Sequence, residues 1–214
     1  MARHRHRRRS SGSGPALWLA LVAVIAIGLG ARLLIWGNPL DHGTQGTTAD
    51  SDKVQIGGPF LLLNGDGQPV TDADFKGKLM LVYFGYTFCP DVCPTELGLV
   101  AKALDQLTPE QRDKVAPIFI TVDPERDTPQ VIKSYVAGFH PQLVGLTGTP
   151  EQIAAVEKSF HVYSAKVPGN DSSSYTMDHS SILYLMGTDG HYLKHWGRNV
   201  TVDDILQGLR QALS

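Results

Sequence analysis

The chain has 214 residues, room for one medium domain with additions. Its formal charge is −2, yet the signs are segregated: the first 40 residues hold six Arg and no acidic residue, which leaves 13 basic against 21 acidic residues in 41–214. A net of −8 over that part argues against nucleic acid as a partner, because phosphate binding needs a basic face.

The basic head, 1–15, carries Arg3, Arg5, Arg7, Arg8 and Arg9. Ala16–Trp36 follows, a 21-residue apolar stretch whose only charge is Arg32. About 20 apolar residues cross a bilayer. Trp18 and Trp36 sit near its ends, where indoles prefer the interface. A single transmembrane helix over 16–36 is predicted, with the basic head in the cytoplasm by the positive-inside bias and the rest of the chain on the far side. The competing reading is a cleaved secretory signal, with small residues at Gly28-Leu29-Gly30; the apolar run is longer than a signal core and continues past that point. A mitochondrial presequence is disfavoured, because only about 15 residues precede the run. Residues 37–53, rich in Gly, Thr, Asp and Ser, read as a flexible tether. Residues 54–214 read as one globular domain, long enough for a single core.

Within that domain, Phe60-Leu61-Leu62-Leu63 runs into Asn64-Gly65-Asp66-Gly67, which predicts a hairpin returning through Pro69-Val70-Thr71. Leu79–Phe84 is an unbroken apolar run, the pattern of a central strand covered on both faces. After it, Leu97, Val100, Ala101, Leu104 and Leu107 recur at helical spacing, with Pro94 in the first turn. Ala116–Val122 is a second buried strand. A helix follows through Phe139, capped by Asp127 or Thr128. Leu143–Leu146 is a short strand, and Thr149-Pro150 opens a helix to about Phe160 by the same device. Val162–Val167 alternates like an edge strand, and Pro168–Asp178 reads as a polar loop. Ser181–Met186 and Tyr192–Trp196 flank the turn Thr188-Asp189-Gly190 as a hairpin. Val202–Leu213 closes as an amphipathic helix. The order predicts an α/β fold, a mixed sheet with helices on both faces and an N-terminal hairpin, which resembles a thioredoxin-like core.

The two cysteines of the chain, Cys89 and Cys93, lie between the first buried strand and the helix after it. A disulfide across three intervening residues would close a very small loop and staple little. Redox and metal chemistry remain, since thiolates are both nucleophiles and soft ligands. Thioredoxin-type oxidoreductases separate their cysteines by two residues; the wider bite here suits a metal better than a fast exchange couple. Cys93 falls at the helix start, where the dipole is expected to lower its thiol pKa.

A metal needs a further ligand, and there are eight histidines. His4 and His6 lie across the predicted membrane, and His42 lies in the tether. His191 and His195 share one strand face and read as solvated. His140 and His161 sit at helix ends, where His is commonly a cap or a surface residue. His179 stands at the start of the segment Ser181–Met186. In a thioredoxin-like fold the loop there faces the cysteines and carries a cis-proline. This chain has no proline between 169 and 214, and offers an imidazole instead. Two thiolates and an imidazole make a soft three-coordinate set that suits Cu(I) and tolerates Cu(II). Zinc is the rival, but a structural zinc site asks for a fourth protein ligand.

Three separated motifs then carry a family resemblance: Gly85-Tyr86-Thr87-Phe88-Cys89-Pro90-Asp91-Val92-Cys93-Pro94, Val122-Asp123-Pro124-Glu125-Arg126-Asp127-Thr128-Pro129 and Asp178-His179-Ser180. Over about 54–214, with the preceding anchor, the chain resembles the Sco/SenC family. The resemblance implies a thioredoxin-like copper protein that helps assemble the copper centre of cytochrome c oxidase subunit II. Its metal ligands correspond to Cys89, Cys93 and His179, and its acidic motif to Asp123 as a supporting residue. Asp123 also reads as a plain turn residue ending the strand. The implied partners are that subunit, the lipid bilayer, and a second copper chaperone or a thioredoxin-like reductant. The implied location is a bacterial inner membrane with the domain in the periplasm, or the mitochondrial inner membrane facing the intermembrane space. Whether the protein is also an enzyme stays open: the alternatives are a thiol-disulfide oxidoreductase or a thiol peroxidase using Cys89 and Cys93 without metal, and a copper sensor.

Overall fold

A computed structural model of the chain describes residues 55–169 and 174–214. The basic head, the predicted transmembrane helix and the tether lie outside the described residues. Among the described residues, no helix is long and apolar enough to cross a membrane.

Among the described residues, nine strands and five helices follow one another: β1 Leu61–Asn64, β2 Pro69–Thr71, β3 Leu79–Gly85, α1 Val92–Asp105, α2 Pro109–Arg112, β4 Val115–Thr121, α3 Pro129–Ala137, β5 Val144–Thr147, α4 Pro150–Phe160, β6 Ser164–Pro168, β7 Tyr175–His179, β8 Leu183–Met186, β9 Tyr192–Trp196 and α5 Val202–Leu213. A 3-10 turn spans Asp72–Phe75. Seven strands form one mixed sheet in the order β2-β1-β5-β4-β3-β8-β9. β3, β4 and β5 are parallel; β8 runs antiparallel to β3, and β1 antiparallel to β5. This is the expected thioredoxin-like α/β arrangement.

The apolar runs explain the centre. Every residue of β3 and of β4 is buried, which requires cover on both faces of the sheet. Phe84, Phe160 and Tyr184 form an aromatic cluster in that core, with ring centroids 5.3–6.1 Å apart. Three helices start by one device, a threonine cap followed by proline: Thr108-Pro109, Thr128-Pro129 and Thr149-Pro150. The threonine oxygen accepts a helix N–H, and the proline stands where an N–H would have no partner.

Several expectations need correction. The stretch 168–178 is not all loop: Tyr175–His179 is a strand, paired antiparallel with β6 in a separate two-stranded ribbon. His179 therefore closes a strand. Ser180, Ser181 and Ile182 lie between it and β8, which begins only at Leu183. α1 stops at Asp105, short of Leu107, and α3 stops at Ala137, short of Phe139. The single turn of α2 was not anticipated. His140 is 6% exposed rather than a surface residue; its Nδ1 accepts from Gln142 N–H at 3.1 Å.

Candidate metal centre

Cys89 and Cys93 arrive from the two sides of one turn. β3 ends at Gly85; residues 86–91 make the loop; Cys93 is the second residue of α1. Cys93 is fully buried against β3, and Cys89 is half-buried in the loop. The fit between sulfur and strand is close: a Cβ on Gly85 would lie 2.8 Å from Cys93 Sγ and 2.9 Å from the Phe119 ring, so only glycine fits there. Both cysteines are free thiols.

The spacing sets their electrostatics. The backbone N–H of Cys93, in the first turn of α1, points at Cys89 Sγ at 3.4 Å. Hydrogen bonding from the Cys93 thiol holds the Cys89 thiol well below its ordinary value, at about 5, with help from the loop N–H groups of Cys93 and Asp91. Cys93 is pushed the other way by that same bond and by burial. This reverses the expectation from sequence, which gave the lowered thiol to Cys93. The helix N–H groups serve the sulfur that faces them from outside the helix, not the one within it.

His179 is brought up by the ribbon. Its Nε2 lies 3.5 Å from Cys93 Sγ, and its ring meets Tyr86 edge-on at 5.8 Å. Nδ1 lies 3.2 Å from the Ser180 carbonyl. A carbonyl only accepts, so that contact places the proton on Nδ1 and leaves the Nε2 lone pair toward the sulfurs. Among the described residues, Cys89, Cys93 and His179 are the one group whose donor atoms all lie within 4.8 Å of one another in an arrangement that could hold a metal. Cys89 and His179 border an open cleft of about 400 Å³, which Met177, Pro90 and Arg198 also line; Cys93 lies buried behind them. The other described histidines stay away: His161 bonds the Gln55 carbonyl, and His195 Nδ1 shares a hydrogen bond with the Tyr192 hydroxyl at 2.6 Å.

Asp123 does not join the cluster. It is 1% exposed, and its carboxylate pairs with Arg126 Nε and accepts from the Tyr175 hydroxyl at 2.9 Å. It is therefore more than a strand-ending turn residue.

Three further residues escaped the sequence reading. Asp127, read as a possible helix cap, is fully buried and faces inward; it accepts from Thr87 N–H, Thr87 Oγ1 and Thr121 Oγ1 at 3.0, 2.5 and 2.6 Å. Thr128 is the cap. Tyr83, beneath the site on β3, shares a hydrogen bond with Ser181 at 3.1 Å, and burial pushes its phenol up. Tyr175, given no role, holds Asp123. An acid followed by Thr-Pro carries a local cap signal, so nothing nearby marks Asp127 as a long-range acceptor. The period-2 alternation of Tyr175-Thr176-Met177-Asp178-His179 was the available signal for β7.

A family model described as SCO1/SenC matches residues 48–214. The chain is 46% identical over 157 residues to "Protein SCO1 homolog 1, mitochondrial" of Arabidopsis thaliana, a match covering 73% of this chain and 47% of that protein. It thus spans about half the length of that relative. Among solved structures it is similar to Bradyrhizobium japonicum ScoI with copper bound, at a TM-score of 0.68 and 46% identity, covering 73% of this chain and 99% of that one. It is also similar to BsSco, described as having a disulfide switch and as a member of the Sco family of cytochrome c oxidase assembly proteins, at a TM-score of 0.59 and 29% identity, over 75% of this chain and 95% of that one. By the family match and these identities, the chain belongs to the SCO1/SenC family.

Proposed function

We propose that the protein is a copper metallochaperone that binds one copper ion through Cys89, Cys93 and His179 and serves assembly of the copper centre of cytochrome c oxidase subunit II. The observation that carries this reading is the convergence of two thiols and an imidazole, from segments some ninety residues apart, with Cys89 and His179 facing an open cleft. Two soft sulfurs and one nitrogen match Cu(I), and an incomplete set leaves room for a target thiolate to take the ion by ligand exchange. Relatives of the same fold are known with copper bound. Asp123 supports the site from outside it. In this reading 1–15 is a cytoplasmic head, 16–36 a membrane anchor, 37–53 a tether, and 54–214 the copper domain. The domain then faces the bacterial periplasm, or in a mitochondrion the intermembrane space.

A second activity is favoured by the asymmetry of the thiols. Cys89 is exposed enough to react and is held as thiolate, while Cys93 is buried and protonated, the division found in attacking and resolving cysteines. Exchange with a partner disulfide takes two electrons and one proton from this thiolate–thiol pair, leaving the partner as one thiol and one thiolate; the Cys89–Cys93 bond so formed removes both sulfur ligands and thereby gates copper loading. A thioredoxin-like reductant would restore the thiols.

The test loads the reduced full chain in detergent with Cu(I), Cu(II) or Zn(II), and compares wild type with Cys89→Ala and His179→Ala. One equivalent of copper held by wild type, and bound more weakly by each variant, is the expected result. Undiminished copper affinity in His179→Ala would remove the histidine from the set; copper uptake by neither state would leave the thiol-disulfide activity alone.

A further inference from the structure

The ribbon that brings His179 to the cysteines is a weakly held element. It pairs with no strand of the main sheet, and most of its residues are exposed or half-buried. Burial therefore does little to fix its position, and such elements open locally at small cost. Its inner end is tied at His179, against Tyr86 and Cys93. Its outer end is tied to the main body at Tyr175, by Arg126 and by Asp123.

Arg126 lies in the turn between β4 and α3. Its Nη1 donates to the Tyr175 carbonyl at 2.9 Å, at the first residue of β7, and its guanidinium stacks 3.7 Å from the Tyr175 ring centroid. The same guanidinium lies 4.8 Å from the ring of Phe88, the residue before Cys89, and 5.7 Å from that of Tyr86. One planar cation thus touches both the cysteine loop and the histidine ribbon. Asp123 fixes the cation in turn: one carboxylate oxygen takes Arg126 Nε and the other takes the Tyr175 hydroxyl. The neighbouring pair Lys166–Glu125, at 2.6 Å, is exposed and adds little.

We propose that Arg126 is a positioning residue for the metal centre: it clamps the His179 ribbon to the Cys89 loop and so sets the distance from imidazole to sulfurs. This rests on the metal-binding reading above. A lysine cannot replace it, because two separate N–H groups and a flat stacking face are in use at once. Asp123 holds both Arg126 and the Tyr175 hydroxyl, which gives the acidic motif its part in the site.

The test measures Cu(I) affinity of the reduced full chain in detergent, by competition with a chromophoric chelator, for Arg126→Lys, His179→Ala and the double variant. Arg126→Lys should weaken binding about 10–100-fold, as loss of outer partners of metal ligands does. In the His179→Ala background the same change should cost nothing further, since the ligand it positions is gone. Equal loss in both backgrounds, or wild-type affinity in Arg126→Lys, overturns the proposal. Tyr175→Phe, which keeps the ring and loses the bond to Asp123, should shift affinity in the same direction by less. Hydrogen exchange of the metal-free chain gives an arm that needs no copper. Amides of 175–179 should exchange faster in Arg126→Lys while those of α1 do not change; faster exchange throughout the domain would mean a general structural role and sink the clamp. Failure of the wild type to take up Cu(I) would overturn the metal reading itself, a result distinct from any of these.

Discussion

The Asp127 carboxylate holds Thr87, forty residues earlier in the chain, by both its backbone N–H at 3.0 Å and its hydroxyl at 2.5 Å. Cys89 stands two residues beyond Thr87. The turn that starts α3 therefore fixes the base of the cysteine loop, while the Asp127 carbonyl accepts from Thr147 of β5 at 2.7 Å. Burial raises the Asp127 carboxyl above its usual range, against the pull of its hydroxyl and amide donors.

Asp127→Ala leaves two hydroxyls and an N–H without their acceptor. A loss of about 2–4 kcal/mol in urea unfolding is expected, together with weaker copper binding. Thr128→Ala removes only a helix cap and should cost about 1 kcal/mol, with copper affinity intact. The pair of variants separates the inward acid from the adjacent cap by direct measurement.

The thiols predict a pH profile for the reduced, metal-free protein. Cys89 is held down to about 5 and Cys93 is pushed up, against an ordinary thiol near 8.5. Between about 5 and about 8.5 the native state has released one proton that the unfolded chain keeps, so stability rises with pH. Above that range the unfolded chain loses both protons while native Cys93 keeps its own, and stability falls. Chemical denaturation across pH should show this maximum. Alkylation should mark Cys89 first, with a rate that falls away as pH drops toward 5.

Gly85→Ala should displace the buried sulfur. Its Cβ would meet Cys93 Sγ at 2.8 Å, the Phe119 ring at 2.9 Å and the Tyr83 ring at 3.1 Å, all inside a packed core. Overpacking of this kind costs about 1–3 kcal/mol. Unfolding and copper affinity should both worsen; an unchanged affinity would show that the sulfur has freedom the packing denies.

Two other histidines serve as controls. His195→Ala removes an exposed ring bonded to Tyr192 and should leave both copper binding and stability within about 0.5 kcal/mol of wild type. His140→Ala removes a buried ring that accepts from Gln142 and should lower stability while copper affinity stays. Loss of copper in either would contradict the assignment of the imidazole ligand to His179.

Much of this was legible in the chain because it is local. The apolar runs of β3 and β4, the Thr-Pro helix starts and the Asn64–Gly67 turn are each written in a few adjacent residues. The cysteine pair and His179 were legible through their chemistry and their place relative to those elements. What was missed is non-local. Asp127 carries the same short-range signal as a cap, and only Thr87 and Thr121 at folding distance make it an inward acceptor. β7 hid because its alternation, Tyr175 and Met177 against Thr176 and Asp178, is only five residues long and follows a polar Gly/Ser/Asn stretch that reads as loop. His140 reads as a surface residue at a helix end until the fold closes over it.

The central claim is that copper is held by two sulfurs and the imidazole of His179. X-ray absorption at the copper edge of the Cu(I)-loaded full chain tests it most directly. Two sulfur neighbours and one nitrogen are predicted in wild type, with the nitrogen lost in His179→Ala. A wild-type spectrum with sulfur neighbours alone, or a nitrogen that survives in His179→Ala, would contradict it.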